Sequence, residues 1–190
     1  AILGKTLPLV DRVTAREELS DLISDLVGEL SALHIFVRGG DLREGPDKVK
    51  VGALGARLAR DPSAGGYRIA HIYQSDPDYP ARRSPLAKPG LNVREGDILE
   101  MINGVAVMSA PGPGDLLRNQ AQRQVLLRLK PQGTGSSREI VVTPMTAEEE
   151  ALLRYDEWEY TRRRQVEQAG QGAIGYVHLR AMGAKDIAQW

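Results

Sequence analysis

The 190-residue chain contains no cysteine. That excludes disulfides, thiol catalysis and cysteine-ligated zinc, and leaves the redox compartment open. It also has no net charge: Lys plus Arg number 25, and Asp plus Glu number 25. No field of one sign is therefore available to attract nucleic acid or an anionic membrane. No apolar run approaches the roughly 20 residues that a membrane span needs, and no signal peptide is visible. The expected location is therefore cytoplasmic. An initiator Met is missing as well, since the chain opens Ala1-Ile-Leu, and it reads as a section of something longer. What is present is a foldable balance of 42% hydrophobic and 26% charged residues, enough for one large domain or two small ones.

The strongest local signal is Arg83-Ser-Pro-Leu-Ala-Lys-Pro-Gly-Leu-Asn-Val-Arg-Glu-Gly-Asp-Ile-Leu-Glu-Met-Ile-Asn-Gly-Val-Ala-Val107. Two short apolar strands, Ile98–Ile102 and Val105–Val107, flank Asn103-Gly104. A two-residue hairpin turn needs positive φ at both central residues, which suits Asn followed by Gly. Further short strands are expected at 54–60, 67–72, 124–129 and 138–143. Turn-rich clusters at 61–66 and 132–137 separate them. Short helical pieces are expected near 84–87 and 114–120.

Both flanks carry helix signals. Thr14-Ala-Arg-Glu17 is a capping-box sequence, and Leu19, Leu22, Ile23, Leu26, Val27, Leu30 and Leu33 follow at helical spacing. A helix over 16–33 is expected, then a strand Ile35-Phe36-Val37 and a turn at Gly39-Gly40-Asp41. The polar stretch 41–48 reads as a linker. Thr146-Ala-Glu-Glu149 is a second capping box, opening a helix to about residue 168 with Leu152, Tyr155 and Trp158 on one face. Arg162-Arg-Arg164 suits the C-terminal end of that helix and a solvated surface. Ile174-Gly-Tyr-Val-His-Leu179 reads as a buried-type strand. Asp76 and Asp78, with Pro77 and Pro80 beside them, read as turn residues, and no metal site is expected.

The central run, with Gly-Leu, then Gly-Asp-Ile-Leu, then Ile-Asn-Gly in register, resembles the PDZ domain. With the order of strands around it, the resemblance is to the circularly permuted PDZ domains found inside proteases. On that resemblance Gly52-Ala53-Leu54-Gly55-Ala56 corresponds to the carboxylate-binding loop, with Leu54, Gly55 and Ala56 as peptide contacts. The edge 56–59 would accept an extended peptide, with Leu116 and Leu117 as the opposite wall. Covered grooves also occur in such domains.

The flanks resemble the tricorn-type serine peptidases. Glu29-Leu-Ser-Ala-Leu-His34, a short apolar run and Gly-Asp form one part of the resemblance. Leu153-Arg-Tyr-x-x-Trp158 with Ile174-Gly-Tyr-Val-His-Leu-x-x-Met182 forms the other. The resemblance implies that His34 is the general base for a serine nucleophile. Leu33 departs from it, because the family places Ser there. His178 belongs to the strand motif and reads as structural. The implied fold class is α+β. A permuted PDZ-like small β-barrel with two short helices is flanked on each side by a helix–strand segment from a split α/β peptidase core. The implied division is 1–42 peptidase core, 43–145 PDZ domain and 146–190 the return to the core.

No Ser follows Ser137, so the implied nucleophile lies outside this chain and the 190 residues alone are expected to be inert. Peptide or protein substrate is the expected partner, with apolar flanks that also permit a homo-oligomer, and no cofactor is expected. A non-enzymatic PDZ interaction module is the alternative. The carboxyl-terminal-processing peptidases, with a Ser–Lys pair, fit the His34 segment less well.

Overall fold

The structure, a computed structural model, describes residues 2–31, 33–40, 49–181 and 183–189. The chain divides into two compact units, Ala1–Lys48 and Val49–Trp190.

In the first unit, helices α1 (Ile2–Val10) and α2 (Arg16–Gly28) pack on each other. α1 was not expected, since it has Pro8 inside it and no acidic residue in its first turn. α2 starts one residue later than the Thr14 signal implies. Glu18, rather than Glu17, returns to accept from the Thr14 and Ala15 amides at 2.7 and 3.1 Å. It also ends earlier than expected, at Gly28, because a poor helix former is followed by turn hydrogen bonds and by Ser31 at φ +49°. Leu22, Ile23, Leu26 and Val27 are half-buried, whereas Leu30 and Leu33 lie in solvent. The expected strand at Ile35–Val37 does not form: these residues have no ladder partner among the described residues. A strand is defined by its pairing, and an apolar run alone does not supply that. The linker reading of 41–48 falls outside the described residues.

The second unit is built on one antiparallel sheet. Its strands are β1 (Ala56–Asp61), β2 (Gly66–Ile72), β3 (Ile98–Ile102), β4 (Val105–Ala106), β5 (Val125–Lys130) and β6 (Arg138–Val142). Short helix α3 (Pro113–Leu116) precedes β5. The long α4 (Ala147–Ala169) and the short α5 (Ala184–Gln189) follow β6. The Asn103-Gly104 turn forms as expected, with φ of +49° and +78°, and Asn103 Oδ1 accepts the Leu126 amide at 2.9 Å. β5 shows the clearest two-residue period. Val125, Leu127 and Leu129 are buried, while Leu126, Arg128 and Lys130 face outward. With Ile69, Leu86, Leu99, Ile102 and Val107 they form the core.

The strand order is β1-β2-β3-β5-β6, with β4 paired to β3, so β1 and β6 are the two edges. The sheet is open where the sequence suggested a partly open barrel. One antiparallel bridge, Ala53 with Met145, ties the residue stretch before β1 to that after β6. At the start of β3 the buried Asp97 accepts from the Arg94 and Gln132 amides, both at 3.2 Å, and from the Arg138 guanidinium at 3.3 Å. One carboxylate thereby pins β3 to β6.

α4 has the expected capping box: Glu149 accepts the Thr146 amide at 2.7 Å, and Thr146 Oγ1 accepts the Glu149 amide at 3.1 Å. Its inward face differs from expectation. Leu153 and Asp156 are buried, whereas Leu152 is 60% exposed. Polar contacts set this rotation. Asp156 is paired with Arg82 and Arg180, and Arg163 reaches Asp76 at 2.7 Å. The basic triplet therefore sits more than a turn before the helix end, with Arg163 committed to an ion pair. Residues 174–179 form no strand among the described residues. They run back along α4, where His178 Nε2 meets the Tyr155 hydroxyl at 2.5 Å and its ring stands edge-on to Trp158. Among the described residues no helix is long and apolar enough to cross a membrane.

Candidate peptide-binding site

β1 follows a sharp corner at Gly55. There φ is +66°, a conformation L side chains rarely adopt. A Cβ at this position would lie 2.6 Å from Ser84 Oγ and 2.8 Å from Pro85 Cδ. Ser84 is fully buried, donates to the Leu54 carbonyl at 3.3 Å and accepts the Leu86 amide at 3.2 Å. Glycine is therefore required twice over, by backbone angle and by space. Gly55 also passes its carbonyl to the Tyr73 amide at 3.0 Å, which starts the β1–β2 pairing.

The three expected contacts differ in character. Leu54 is 3% exposed and belongs to the core. Gly55 is the corner, and Ala56 opens the strand, half-buried against the core. Beyond it Arg57, Ala59 and Arg60 face solvent, and a bulge lies between Arg57 and Leu58. The outer edge of β1 pairs with no strand among the described residues. An unpaired edge of this kind presents main-chain donors and acceptors to an extended peptide. The Leu117 carbonyl accepts the Gly52 amide at 2.8 Å, so the end of α3 is tied to the lead-in of the same loop.

Four contacts at and beyond this corner escaped the sequence reading. Glu150, in the first turn of α4, accepts the Gly55 amide on Oε1 at 3.0 Å. Farther along the helix, Glu157 Oε1 meets His71 Nε2 at 2.7 Å and accepts the Gln74 amide at 2.9 Å. His71 Nδ1 meets Glu95 Oε1, also at 2.7 Å. Partial burial pulls the His71 pKa down, but the paired Glu157 and Glu95 carboxylates outweigh it and hold the imidazolium above its ordinary range. These partners are 24 to 95 residues apart in the chain, so no local pattern could have announced them.

His34, in the first unit, is exposed with φ +63°, and its ring lies 6.5 Å from that of Phe36. Its imidazole has no hydrogen-bond partner among the described residues. Leu33 beside it is 89% exposed.

An antiparallel sheet whose edge strand is entered through a glycine-cornered amide loop has the architecture of a PDZ-type domain. Comparison with known proteins narrows this. A sequence profile of the tricorn protease PDZ domain matches residues 52–147, half of the chain, and the chain belongs to that family. Tricorn protease homolog 1 of Streptomyces coelicolor is 38% identical over 99% of the chain. The tricorn protease homolog of Saccharolobus solfataricus is 30% identical over the whole of this chain. In both cases the chain spans only 17% of the relative. A crystal structure of the tricorn protease superposes with a TM-score of 0.83 at 24% identity, over 98% of this chain and 18% of that one.

Proposed function

We propose that this chain is a section of a serine endopeptidase acting on peptides or unfolded protein. Residues 43–145 hold substrate by strand addition at β1. Residues 1–42 and 146–190 belong to the catalytic core on either side. The observation that carries the reading is the unpaired β1 edge beside the Gly55 loop, within a chain similar along its whole length to tricorn protease homologues.

In this reading His34 takes the proton from a serine hydroxyl supplied elsewhere in the polypeptide, then gives it to the leaving amine. The imidazole must be neutral at the accepting nitrogen and held at the other. The Leu33 side chain has no polar atom to offer, so the orienting group comes from elsewhere than this position. Without the nucleophile and oxyanion donors that this reading assigns to the rest of the polypeptide, the chain alone does no acyl transfer.

The test compares peptidase turnover by the intact polypeptide, its His34→Ala variant and the 190-residue chain. The reading expects activity in the first, a loss on the order of 10²–10⁴-fold in the second, and none in the third. Turnover by the isolated chain, or an unaffected His34→Ala variant, overturns it. One observation favours a second reading, a peptide-binding module without catalysis: the exposed His34 ring, which has no hydrogen-bond partner among the described residues.

A further inference from the structure

The amides of the Gly55 loop can be accounted for one by one. Gly52 donates to the Leu117 carbonyl and Ala53 to the Met145 carbonyl, both at 2.8 Å. Gly55 donates to the Glu150 carboxylate at 3.0 Å. The Leu54 amide donates to no described residue, and the Ala56 amide, next to the Gly55 carbonyl that holds Tyr73, faces the open edge of β1. A peptide ending in a free carboxylate needs several converging amides, as any anion nest does. Here it would find two, Leu54 and Ala56, with a second carboxylate already seated on the Gly55 amide between them. Like charges at such separation disfavour each other, and strongly so where water is partly excluded.

Glu150 is held there by more than its own hydrogen bond. It projects from the first turn of α4, whose start is fixed by the Thr146–Glu149 capping box. The same face of the helix buries Leu153 and anchors Glu157 on His71. Among the described residues the Glu150 carboxylate has no partner other than the Gly55 amide. A first-turn glutamate suits the helix macrodipole wherever it points, and that preference alone does not direct it onto a loop amide. A lone carboxylate on a loop amide is instead what a bound chain terminus would place there.

Taking β1 as the peptide-binding edge, as proposed above, we infer that Glu150 is the resident carboxylate of the loop and determines which peptides the site accepts. It takes segments that run along β1 and does not select chain ends by their carboxylate. This suits an endopeptidase, whose substrates are gripped away from their termini.

The test uses fluorescein-labelled short peptides ending in Leu or Val, each made as free acid and as C-terminal amide. They are titrated by anisotropy against the full chain and its Glu150→Ala and Glu150→Gln variants. The inference expects the wild type to bind both forms equally, within about twofold. Glu150→Ala should bind the acid about tenfold more tightly than the amide, the scale of one charge-assisted hydrogen bond. Glu150→Gln keeps an acceptor but loses the charge, and should show a smaller preference of the same sign. It carries the test if Glu150→Ala does not fold. Gly55 amide hydrogen exchange should also quicken in Glu150→Ala.

A wild-type preference for the acid overturns the inference. So do equal affinities for acid and amide in the variants, which would leave strand addition at β1 standing. Failure of every peptide to bind every variant would instead overturn strand addition itself, and the inference with it. A purely structural Glu150 would change stability without creating discrimination between acid and amide.

Discussion

Replacing Gly55 by alanine tests the corner from which β1 starts. The native φ of +66° costs an L residue about 1–2 kcal/mol. The new methyl group would also sit 2.6 Å from Ser84 Oγ and 2.8 Å from Pro85 Cδ. Ser84 is fully buried and holds two hydrogen bonds, so it cannot yield without breaking one. Overpacking of this kind costs about 1–3 kcal/mol. The expected loss is therefore about 2–5 kcal/mol. Gly104→Ala is the internal control. Its φ of +78° carries a similar backbone cost, but nothing lies within 4 Å of a Cβ there. Urea denaturation followed by far-UV circular dichroism should place Gly55→Ala at least about 1 kcal/mol below Gly104→Ala. Equal midpoints for the two variants would refute the packing argument and leave only the backbone term.

Other consequences can be measured on the same chain. Leu153→Ala should cost about 2–5 kcal/mol, whereas Leu152→Ala should stay within about 0.5 kcal/mol. The reverse order in urea denaturation would mean that α4 is rotated from its described face. His71 has a raised folded pKa, so its contribution is fully present below the unfolded value of about 6.5 and is lost as pH rises through the folded value. Stability titrated upward from acidic pH should fall across that window, and His71→Gln should flatten the fall; a wild type without this slope contradicts the Glu95–His71–Glu157 clamp. Asp61 behaves oppositely. The Ser63 hydroxyl, the Arg68 guanidinium and the Ala64 amide lower its pKa to about 2. Its contribution is present above the ordinary carboxylate range and is lost as pH falls toward 2, so NMR titration of Asp61 should find it still ionised well below the range of an exposed carboxylate.

Legibility in the sequence followed the range of the interactions. The Asn103-Gly104 hairpin and the alternation of β5 were plain because turn chemistry and side-chain period are local. The capping box of α4 was plain for the same reason, but the face it buries was not. Leu152, Tyr155 and Trp158 share a stripe, yet Asp156, Glu157 and Arg163 rotate the helix toward partners 74 to 87 residues away in the chain. The runs at 35–37 and 174–179 looked like strands because their composition suits a strand, but composition does not supply a ladder partner, and neither run pairs with a strand among the described residues. At the site, Gly55 was found from its loop pattern. Glu150 was invisible, being one Glu in a run of three whose relevance depends on a corner 95 residues earlier.

The central claim is that this chain brings the general base of a serine peptidase. The most direct measurement is the intact mass of the complete polypeptide after treatment with a serine-directed phosphonate, for wild type and His34→Ala. The account predicts one added phosphonyl group on the wild type and none on His34→Ala. Equal labelling of the two, or no labelling of the wild type, would contradict it.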